Sequence, residues 1–297
     1  MKAILVTGGS GFLGSEVCRM LVEAGHRVVD ISAEPNHLAG VEGHVVDITD
    51  YPAIDSIVKN NGFDTIIHLA ALLTTQSNQN PESAFRVNVL GAHHLLEAAR
   101  NHRIPRFVYS SSFSIIGPIP MKQCPVDEDV IQVPINFYGE TKRFVEKMSI
   151  SYAQKFGLQV AIGRLGALVG PGKPLGTSAW RMDIFNMLKT GGSITYKFTS
   201  RTRLLISHLR DTARAFLCLA LAEKPQHAIY HLTHDALSMQ QLSDIVHELN
   251  PEIHFAYGTN EQVDMPHSVN TERFVKEFNF EPISIKKALE NYKKGSY

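Results

Sequence analysis

The beginning of the chain limits its fold more than any other segment. A strand predicted over Lys2–Thr7 is followed at once by four glycines between positions 8 and 14. A helix is predicted over Gly11–Ala24, because its apolar residues recur at helical spacing. Glycine has no Cβ, so such a loop lets the backbone approach a pyrophosphate, while the helix N-terminus offers unpaired N–H groups. The pattern therefore predicts a dinucleotide site at the start of a βαβ unit.

The first half of the chain continues this alternation of short apolar strands and longer helices. Five further strands are predicted over Arg27–Ile31, Gly43–Val46, Thr65–Leu69, Arg106–Ser110 and Gln159–Leu165, and helices over Tyr51–Asn60, Ala84–Asn101 and Phe137–Phe156. Near-continuous apolar strands separated by helices predict the α/β class, with a doubly wound parallel Rossmann sheet covered on both faces.

The pattern loosens after residue 165, which predicts a second part of the chain. Residues 1–165, with about 204–232 returning to them, are expected to form the dinucleotide-binding domain. Residues of about 166–203 and 233–297 are expected to form a smaller, mostly C-terminal substrate lobe, with helices over Ala179–Lys189, Met239–Leu249 and Ile283–Tyr292. Ligands of such folds bind beyond the C-terminal ends of the strands.

Composition excludes several classes of function. Lys+Arg and Asp+Glu both number 29 among 297 residues, so neither a nucleic acid nor a membrane surface is an expected partner. No apolar run is long enough to span a bilayer, and the chain enters its first strand without a leader pattern, so we expect a cytoplasmic protein. Three distant cysteines and fourteen histidines without ligand spacing predict neither a disulfide framework nor a metal site.

An acid near the end of the second strand usually holds the adenosine ribose of a dinucleotide. Asp30 lies 22 residues after Gly8, which is about the expected distance, although the strand end could instead fall at Ser32. There is no Lys or Arg between Arg27 and Lys59 to meet a 2′-phosphate. The sequence thus favours NAD and leaves NADP open.

A second constellation lies downstream of the glycine loop. The strand FVYSSSFSIIG ends in serines, and NFYGETKRFVEK carries Tyr138 and Lys142 four residues apart, on one face of the predicted helix. With TGGSGFLG, VVDITD, HLAA and RVNVLG, these segments resemble the extended short-chain dehydrogenase/reductases, the NAD-dependent epimerase/dehydratase family, over nearly the whole chain. A Tyr base at neutral pH requires its pKa of about 10 to fall, which a nearby ammonium favours.

The resemblance implies roles for individual residues. Tyr138 would be the base, Ser112 would orient the alcohol, and Lys142 would lower the pKa of Tyr138 and hold a cofactor ribose. The implied cofactor-binding residues are Gly8, Gly11, Phe12, Leu13, Gly14, Asp30, Asp47, Ile48, Leu69, Ala70, Ala71, Asn88, Ser110, Tyr138, Lys142 and Leu165. The family also commonly dimerises through two long helices, here near 84–101 and 137–156, so a homodimer is expected.

Departures from the family pattern narrow the reaction. Phe113 and Ser114 occupy the positions of the Asp-Glu pair of sugar-nucleotide dehydratases, so dehydration is not expected. Gly166 and Ala167 replace the Phe-Asn pair of nucleotide-sugar epimerases, whereas RLGALVGPGKP resembles D-erythronate dehydrogenases. We therefore predict hydride transfer from a secondary alcohol of a small sugar acid or hydroxy acid to NAD.

A small acid also requires cationic or polar partners. The candidate substrate residues are Thr74, Ser112, Tyr138, Lys173, Arg181 and Arg203. Two alternatives stay open: a UDP-sugar epimerase that returns the hydride, and a cofactor-sensing binding protein. The presence of both Tyr138 and Lys142 disfavours the sensor.

Overall fold

The computed structural model describes residues 1–172 and 179–296. Its strands are β1 (Ala3–Thr7), β2 (Arg27–Ser32), β3 (Val41–Val45), β4 (Thr65–His68), β5 (Arg106–Ser112), β6 (Gln159–Leu165), β7 (Ala167–Val169), β8 (Gly192–Phe198), β9 (Arg203–His208), β10 (Ile229–His231), β11 (Asp235–Ser238) and β12 (Ile253–Asn260). Its α-helices are α1 (Phe12–Glu23), α2 (Tyr51–Asn61), α3 (Thr74–Gln79), α4 (Pro81–Ala84), α5 (Gly91–Asn101), α6 (Phe137–Phe156), α7 (Trp180–Asn186), α8 (Leu209–Leu221), α9 (Met239–Leu249), α10 (Glu272–Phe278) and α11 (Ile285–Lys293).

Seven strands form the main sheet, in the order β10-β6-β5-β4-β1-β2-β3. The pairs β1–β2, β1–β4, β2–β3 and β4–β5 are parallel. The strand order reverses beside β1, which is the point where doubly wound sheets bind their ligands. This confirms the predicted fold class.

Contacts divide the chain into two units. The first contains 1–115, 131–164 and 213–230, and the second contains 116–130, 165–212 and 231–297. The first unit has its own apolar core between the sheet and helices such as α2 and α5, with Ile54, Leu95 and Phe107 fully buried. The boundaries drawn from the sequence, near 165 and 204, stay a prediction.

The second unit contains two small sheets. One has the strand order β11-β9-β7, and the other pairs β12 with β8 in parallel. Trp180, Tyr196 and Phe185 pack in a separate core together with residues of α9 and α11. Alternation of apolar residues along β8, where Ile194, Tyr196 and Phe198 are buried, explains how this strand covers that core.

Several predicted elements differ from the observed ones. The helix predicted over Ala84–Asn101 is interrupted, because Phe85–Leu90 forms a π-helical turn between α4 and α5. The segment after β4, for which the sequence predicts no helix, contains the short helix α3. The pairs β8–β12 and β9–β11 join segments distant in sequence, so no local pattern predicted them.

Two classes of feature are absent from the described part of the chain. Among residues 1–172 and 179–296, no helix is both long and apolar enough to cross a membrane. Within the same ranges, no three His, Cys, Asp or Glu side chains cluster in a way that could hold a metal ion.

Candidate active site

The glycine loop forms a tight backbone cradle between β1 and α1. Gly8 adopts a φ of +76°, which disfavours any residue with a side chain. A Cβ on Gly14 would lie 1.9 Å from the carbonyl oxygen of Gly8, so the first turn of α1 packs directly on the loop. No side chain caps the helix at Gly11, so the first-turn N–H groups are left for an anion.

Asp30 braces this loop from inside β2. Its carboxylate accepts hydrogen bonds from Gly9 N (2.7 Å), Ser32 Oγ (2.8 and 2.9 Å) and Asn36 Nδ2 (3.1 Å). The side chain is buried, and burial raises the pKa of Asp30. The strand ends at Ser32, which is the alternative that the sequence left open. Contact with a ribose stays a prediction for Asp30, whose described bonds all hold the loop and the strand end.

The segment after β4 lies against the same loop. A Cβ on Gly8 would come within 2.9 Å of the backbone nitrogen of Ala70, so the predicted cofactor residues Leu69 and Ala70 adjoin the cradle. Ala71 follows directly. At the end of β3, exposed Asp47 accepts from the backbone N–H and the hydroxyl of Thr49. These bonds lower the pKa of Asp47, which therefore stays an anion.

Asn88 lies in the π-helical turn, and such turns often occur at functional sites. Its side-chain oxygen accepts from Leu72 N at 2.8 Å, and its amide donates to Leu72 O and to Thr141 Oγ1. Thr141 in turn donates to the carbonyl of Tyr138 at 2.7 Å. Asn88 therefore connects the segment after β4 to the first turn of α6, beside the predicted base.

The turn after Ser112 and the first turn of α6, which carries Tyr138, meet at one close backbone contact. Ser112 ends β5, and its Oγ accepts from the backbone N–H of Ser114 at 3.2 Å. A Cβ on Gly139 would lie 2.4 Å from the carbonyl oxygen of Ser114, so only glycine lets α6 approach this turn. The side chain of Asn136 caps α6 by accepting from Gly139 N. Sequence reasoning missed Gly139, although its place directly after the tyrosine was a signal.

Lys142 lies one turn after Tyr138 and is buried against β5. Its Nζ donates to Ser110 O at 2.8 Å and lies 4.9 Å from the ring centroid of Tyr109 and 5.7 Å from that of Tyr138. Burial lowers the pKa of Lys142 to about 7, and the nearby carboxylate of Glu146 opposes this shift. The three candidate catalytic groups, Ser112, Tyr138 and Lys142, are thus gathered in the first unit.

The candidate substrate residues are more dispersed. Thr74 begins α3 and is half-buried. In the second unit, the Arg181 guanidinium lies 5.7 Å from the Trp180 ring centroid, and Arg203 donates to Ala236 O and Gln241 Oε1. Lys173 lies outside the described residues.

Gly166 is the first residue that departs from the epimerase pattern, and it directly follows Leu165. Leu165, a predicted cofactor residue, ends β6 and is buried. Gly166 donates its N–H to Thr233 Oγ1 at 2.9 Å, and a Cβ there would lie 2.3 Å from Leu205 O. The backbone of β9 thus occupies the space that any side chain at position 166 would need.

The residues of the first unit fit a dinucleotide. The cradle at Gly8, Gly11 and Gly14 and the open N–H groups of α1 suit a pyrophosphate, with Phe12 and Leu13 supplying two of those amides. Ile48 is buried beside Gly91, and Ser110 offers its carbonyl to Lys142. These residues would hold the dinucleotide, and Lys142 and Tyr138 lie near the C-terminal end of β5, where the predicted chemistry would take place.

Comparison with known proteins supports this interpretation. The model of the family described as "NAD dependent epimerase/dehydratase family" matches residues 4–233. A UDP-glucose 4-epimerase of Halalkalibacterium halodurans is 36% identical over 163 residues, 53% of this chain and 48% of the epimerase. The mitochondrial L-threonine 3-dehydrogenase of Bos taurus is 28% identical over 271 residues, 87% of this chain and 71% of the dehydrogenase. The matched stretch therefore spans about half the length of the epimerase and most of the dehydrogenase.

Solved structures share the fold. An L-threonine dehydrogenase of Clostridium difficile superposes with a TM-score of 0.86 at 24% identity, covering 100% of this chain and 98% of that one. A UDP-glucose 4-epimerase of Thermotoga maritima superposes with a TM-score of 0.86 at 23% identity, covering 98% and 97%. The two activities thus occur on the same architecture, so the fold does not decide between them.

Proposed function

The chain belongs to the NAD-dependent epimerase/dehydratase family, as its motifs predicted, and on that premise we propose that it is a dehydrogenase. Its substrate is a small acid with a secondary alcohol, such as a sugar acid or a hydroxy acid. The family is described as NAD-dependent, and we propose NAD as the cofactor here, with NADP as the competitor to test.

The proposed reaction uses three side chains of the first unit. Tyr138, as the phenolate, takes the hydroxyl proton of the substrate, and Ser112 donates a hydrogen bond to the same oxygen. The Lys142 ammonium, when charged, stabilises the phenolate. Bound NAD would accept the hydride that leaves the carbinol carbon. The alcohol loses one hydride and one proton and becomes a ketone, and the products are the ketone, NADH and protonated Tyr138.

The observation that favours a small substrate is the packing of Gly166. Epimerases resembling this chain carry a bulky Phe followed by Asn where this chain has Gly166 and Ala167. A side chain at Gly166 would collide with the backbone of Leu205, and Ala167 is buried. The amide expected to contact a substrate diphosphate is therefore missing, and the backbone of β9 fills the adjacent space.

The breadth of the sequence matches agrees with this proposal. The threonine dehydrogenase matches over 87% of this chain, whereas the epimerase matches over 53%. Threonine is itself a small acid with a secondary alcohol, so it belongs beside the sugar acids in any substrate panel.

The test is NAD reduction, followed by the absorbance of NADH. Purified protein is mixed with NAD and separately with NADP, each with four- to six-carbon sugar acids, hydroxy acids and L-threonine. We expect steady reduction with one acid and faster reduction of NAD than of NADP. A Tyr138→Phe enzyme serves as the matched control, and equal reduction by that variant would refute the proposed base.

The second candidate function is UDP-sugar epimerisation, which the 36% identity over 163 residues favours. An epimerase returns the hydride, so no NADH accumulates while the product is a sugar of inverted configuration. Chromatography of UDP-glucose incubated with the enzyme separates the two functions. Formation of UDP-galactose without NADH would replace the dehydrogenase proposal.

We further propose that the protein is a cytoplasmic homodimer that pairs through α6 and the π-helical turn. Phe85 and Phe144 are more than half exposed there and line a cavity of about 310 Å³ together with Val89 and Phe137. Light scattering should give twice the chain mass of 33.0 kDa, and Phe144→Glu should halve it. A monomeric wild-type protein would contradict the dimer.

A further inference from the structure

A buried ion pair lies one helical turn beyond Lys142. Arg164 on β6 donates from Nε and Nη2 to the two oxygens of Glu146 on α6, both at 3.0 Å, and both side chains are fully buried. Gln132 Nε2 donates to Glu146 Oε2 at 3.1 Å. A bidentate pair with a third donor fixes the carboxylate in one orientation.

Stability alone does not account for this buried ion pair. A buried ion pair is weak support for a fold, because the cost of removing two charges from water offsets their attraction. Glu146 is also four residues after Lys142, so both side chains occupy one face of α6. Arg164 therefore fixes the Glu146 carboxylate on the same buried face of α6 as the lysine.

We propose that Glu146, held by Arg164, is a positioning residue that keeps Lys142 protonated and so prepares Tyr138 to act as the base. This inference rests on the proposed role of Tyr138. In the same buried space, Arg164 limits the field of the carboxylate, so the charge that Lys142 experiences is set by both members of the pair.

The other groups around Lys142 do not supply this charge. The Lys142 ammonium contacts the ring of Tyr109 and the carbonyl of Ser110, which are both on β5. On its own helix it lies near the ring of Tyr138. From β4, burial lowers the pKa of His68 to about 3, so its imidazole is neutral.

The Glu146 carboxylate acts on two neighbouring groups. Burial raises the pKa of the Tyr109 phenol, and Tyr138 and then the Glu146 carboxylate raise it further. It opposes the loss of the proton from Lys142, whose burial drives the pKa in the other direction. Lys142 is thus poised between its charged and neutral forms near neutral pH, where one added or removed charge has its largest effect on protonation.

The experiment measures the ionisation of Tyr138 without substrate. For each variant, the near-ultraviolet tyrosinate absorbance is titrated with pH, and the titration of the same variant carrying Tyr138→Phe is subtracted. Glu146→Gln should raise the midpoint of Tyr138 ionisation by about one pH unit, because Lys142 loses its proton more readily. Arg164→Gln should lower the midpoint, because the carboxylate is no longer countered.

A structural role would not produce shifts of opposite sign. Ser149→Ala, a change in another buried side chain of α6, is the matched control and should leave the midpoint unchanged. If a single variant fails to fold, the double variant Glu146→Gln with Arg164→Gln leaves no unpaired buried charge. It should still raise the midpoint, by less than Glu146→Gln alone, since the lost carboxylate is the charge on the lysine's own helix face.

The outcomes separate this inference from the proposed function. An unchanged midpoint in the double variant, or shifts of the same sign in both single variants, would overturn the inference. The titration requires no turnover, so a wrong substrate class leaves its result intact. With the true substrate, the acidic limb of the kcat/KM profile should move in the same directions as the midpoints.

Discussion

The first unit buries its candidate catalytic groups, whereas the second unit leaves its candidate substrate cations half-buried. Lys142 is 3% exposed and Tyr138 is 8% exposed. Ser110 accepts a hydrogen bond from Lys142, Thr141 donates one to the carbonyl of Tyr138, and Gly139 lets α6 pack closely on the turn after β5. In the second unit, Arg203 and Arg181 are only partly covered. Buried polar groups are costly without partners, so the proposed catalytic groups depend on many neighbouring residues, while the proposed substrate cations depend on few.

With the proposed roles, this difference would allow the substrate to change without a change of fold. Changing the groups around Lys142 disturbs a packed and charged interior, whereas changing a partly exposed arginine alters a binding contact at little cost in stability. The predictions below test this contrast, first in the buried site and then in the second unit.

The largest effect is expected from removing the proposed base. Tyr138→Phe should lower kcat by about a thousandfold, because general base catalysis contributes factors of about 10² to 10⁴. NAD affinity, measured by calorimetry, should change by less than about threefold. Tyr152→Phe is the matched control, since Tyr152 lies on the same helix and donates to Glu97 instead. A comparable loss in both variants would show general damage to α6 rather than loss of a base.

The second prediction tests the close approach of α6 to Ser112. Gly139→Ala places a Cβ 2.4 Å from the backbone oxygen of Ser114, so the helix must move away from the serine. We expect kcat to fall by about a hundredfold, as displacements of about 1 Å in an active site can cause. Glu140→Ala, on the exposed side of the same turn, should retain activity. An active Gly139→Ala enzyme would mean that this contact does not set the geometry.

Most strands and helices of the first unit could be predicted from the sequence, because they follow from local patterns. A strand followed by glycines and a helix is a local pattern, and the bounds predicted for α6 and α9 agree with the structure, where Asn136 and Ser238 cap the starts of these helices. The glycine loop was predicted from its local pattern, whereas the roles of Tyr138 and Lys142 were implied by the family resemblance and stay predictions. The interruption at Phe85–Leu90 was missed, since the sequence there keeps a helical pattern.

The second unit was less predictable because its strands pair across long distances. β8 pairs with β12 about sixty residues away, and the partner is not encoded in either segment. Side-chain networks were missed for the same reason. Glu146 meets Arg164 from another element, and Asp30 is held by Gly9 of the glycine loop as well as by its neighbours Ser32 and Asn36.

The third prediction concerns the free energy cost of burying Lys142. In the unfolded chain its pKa is 10.5, and in the folded protein burial lowers it to about 7. The folded state therefore binds fewer protons between these pH values, and stability rises with pH across that window. Lys142→Met should raise the free energy of unfolding by about 1–3 kcal/mol at pH 7 and abolish turnover. The gain should be largest at and below pH 7 and shrink toward pH 10.5.

Urea unfolding at several pH values measures this gain. Lys147→Met, a change of an exposed lysine on the same helix, should leave the free energy of unfolding within about 0.5 kcal/mol of the wild type. If Lys142→Met instead lowers the free energy of unfolding at every pH, the hydrogen bond from Lys142 to Ser110 outweighs the cost of burying the ammonium. Lys142 would then stabilise the first unit.

The smallest effect is expected in the second unit and completes the contrast. Arg203→Ala should raise KM for the acid substrate by about tenfold with little change in kcat, because one charge-assisted hydrogen bond is worth about 1.5–3 kcal/mol and part of it is regained from water. The control is Arg201→Ala, which removes an arginine that is 88% exposed and pairs only loosely with Glu261 at 3.4 Å. Arg203 also donates to Ala236 O and Gln241, so the thermal midpoint must be measured beside KM.

A lower midpoint with unchanged KM would assign Arg203 to the edge of β9, and the carboxylate partner would then have to be sought elsewhere, with Arg181 as the next variant. A rise in KM alone would show that the second unit chooses the substrate through a partly exposed cation that can be exchanged without disturbing the buried chemistry.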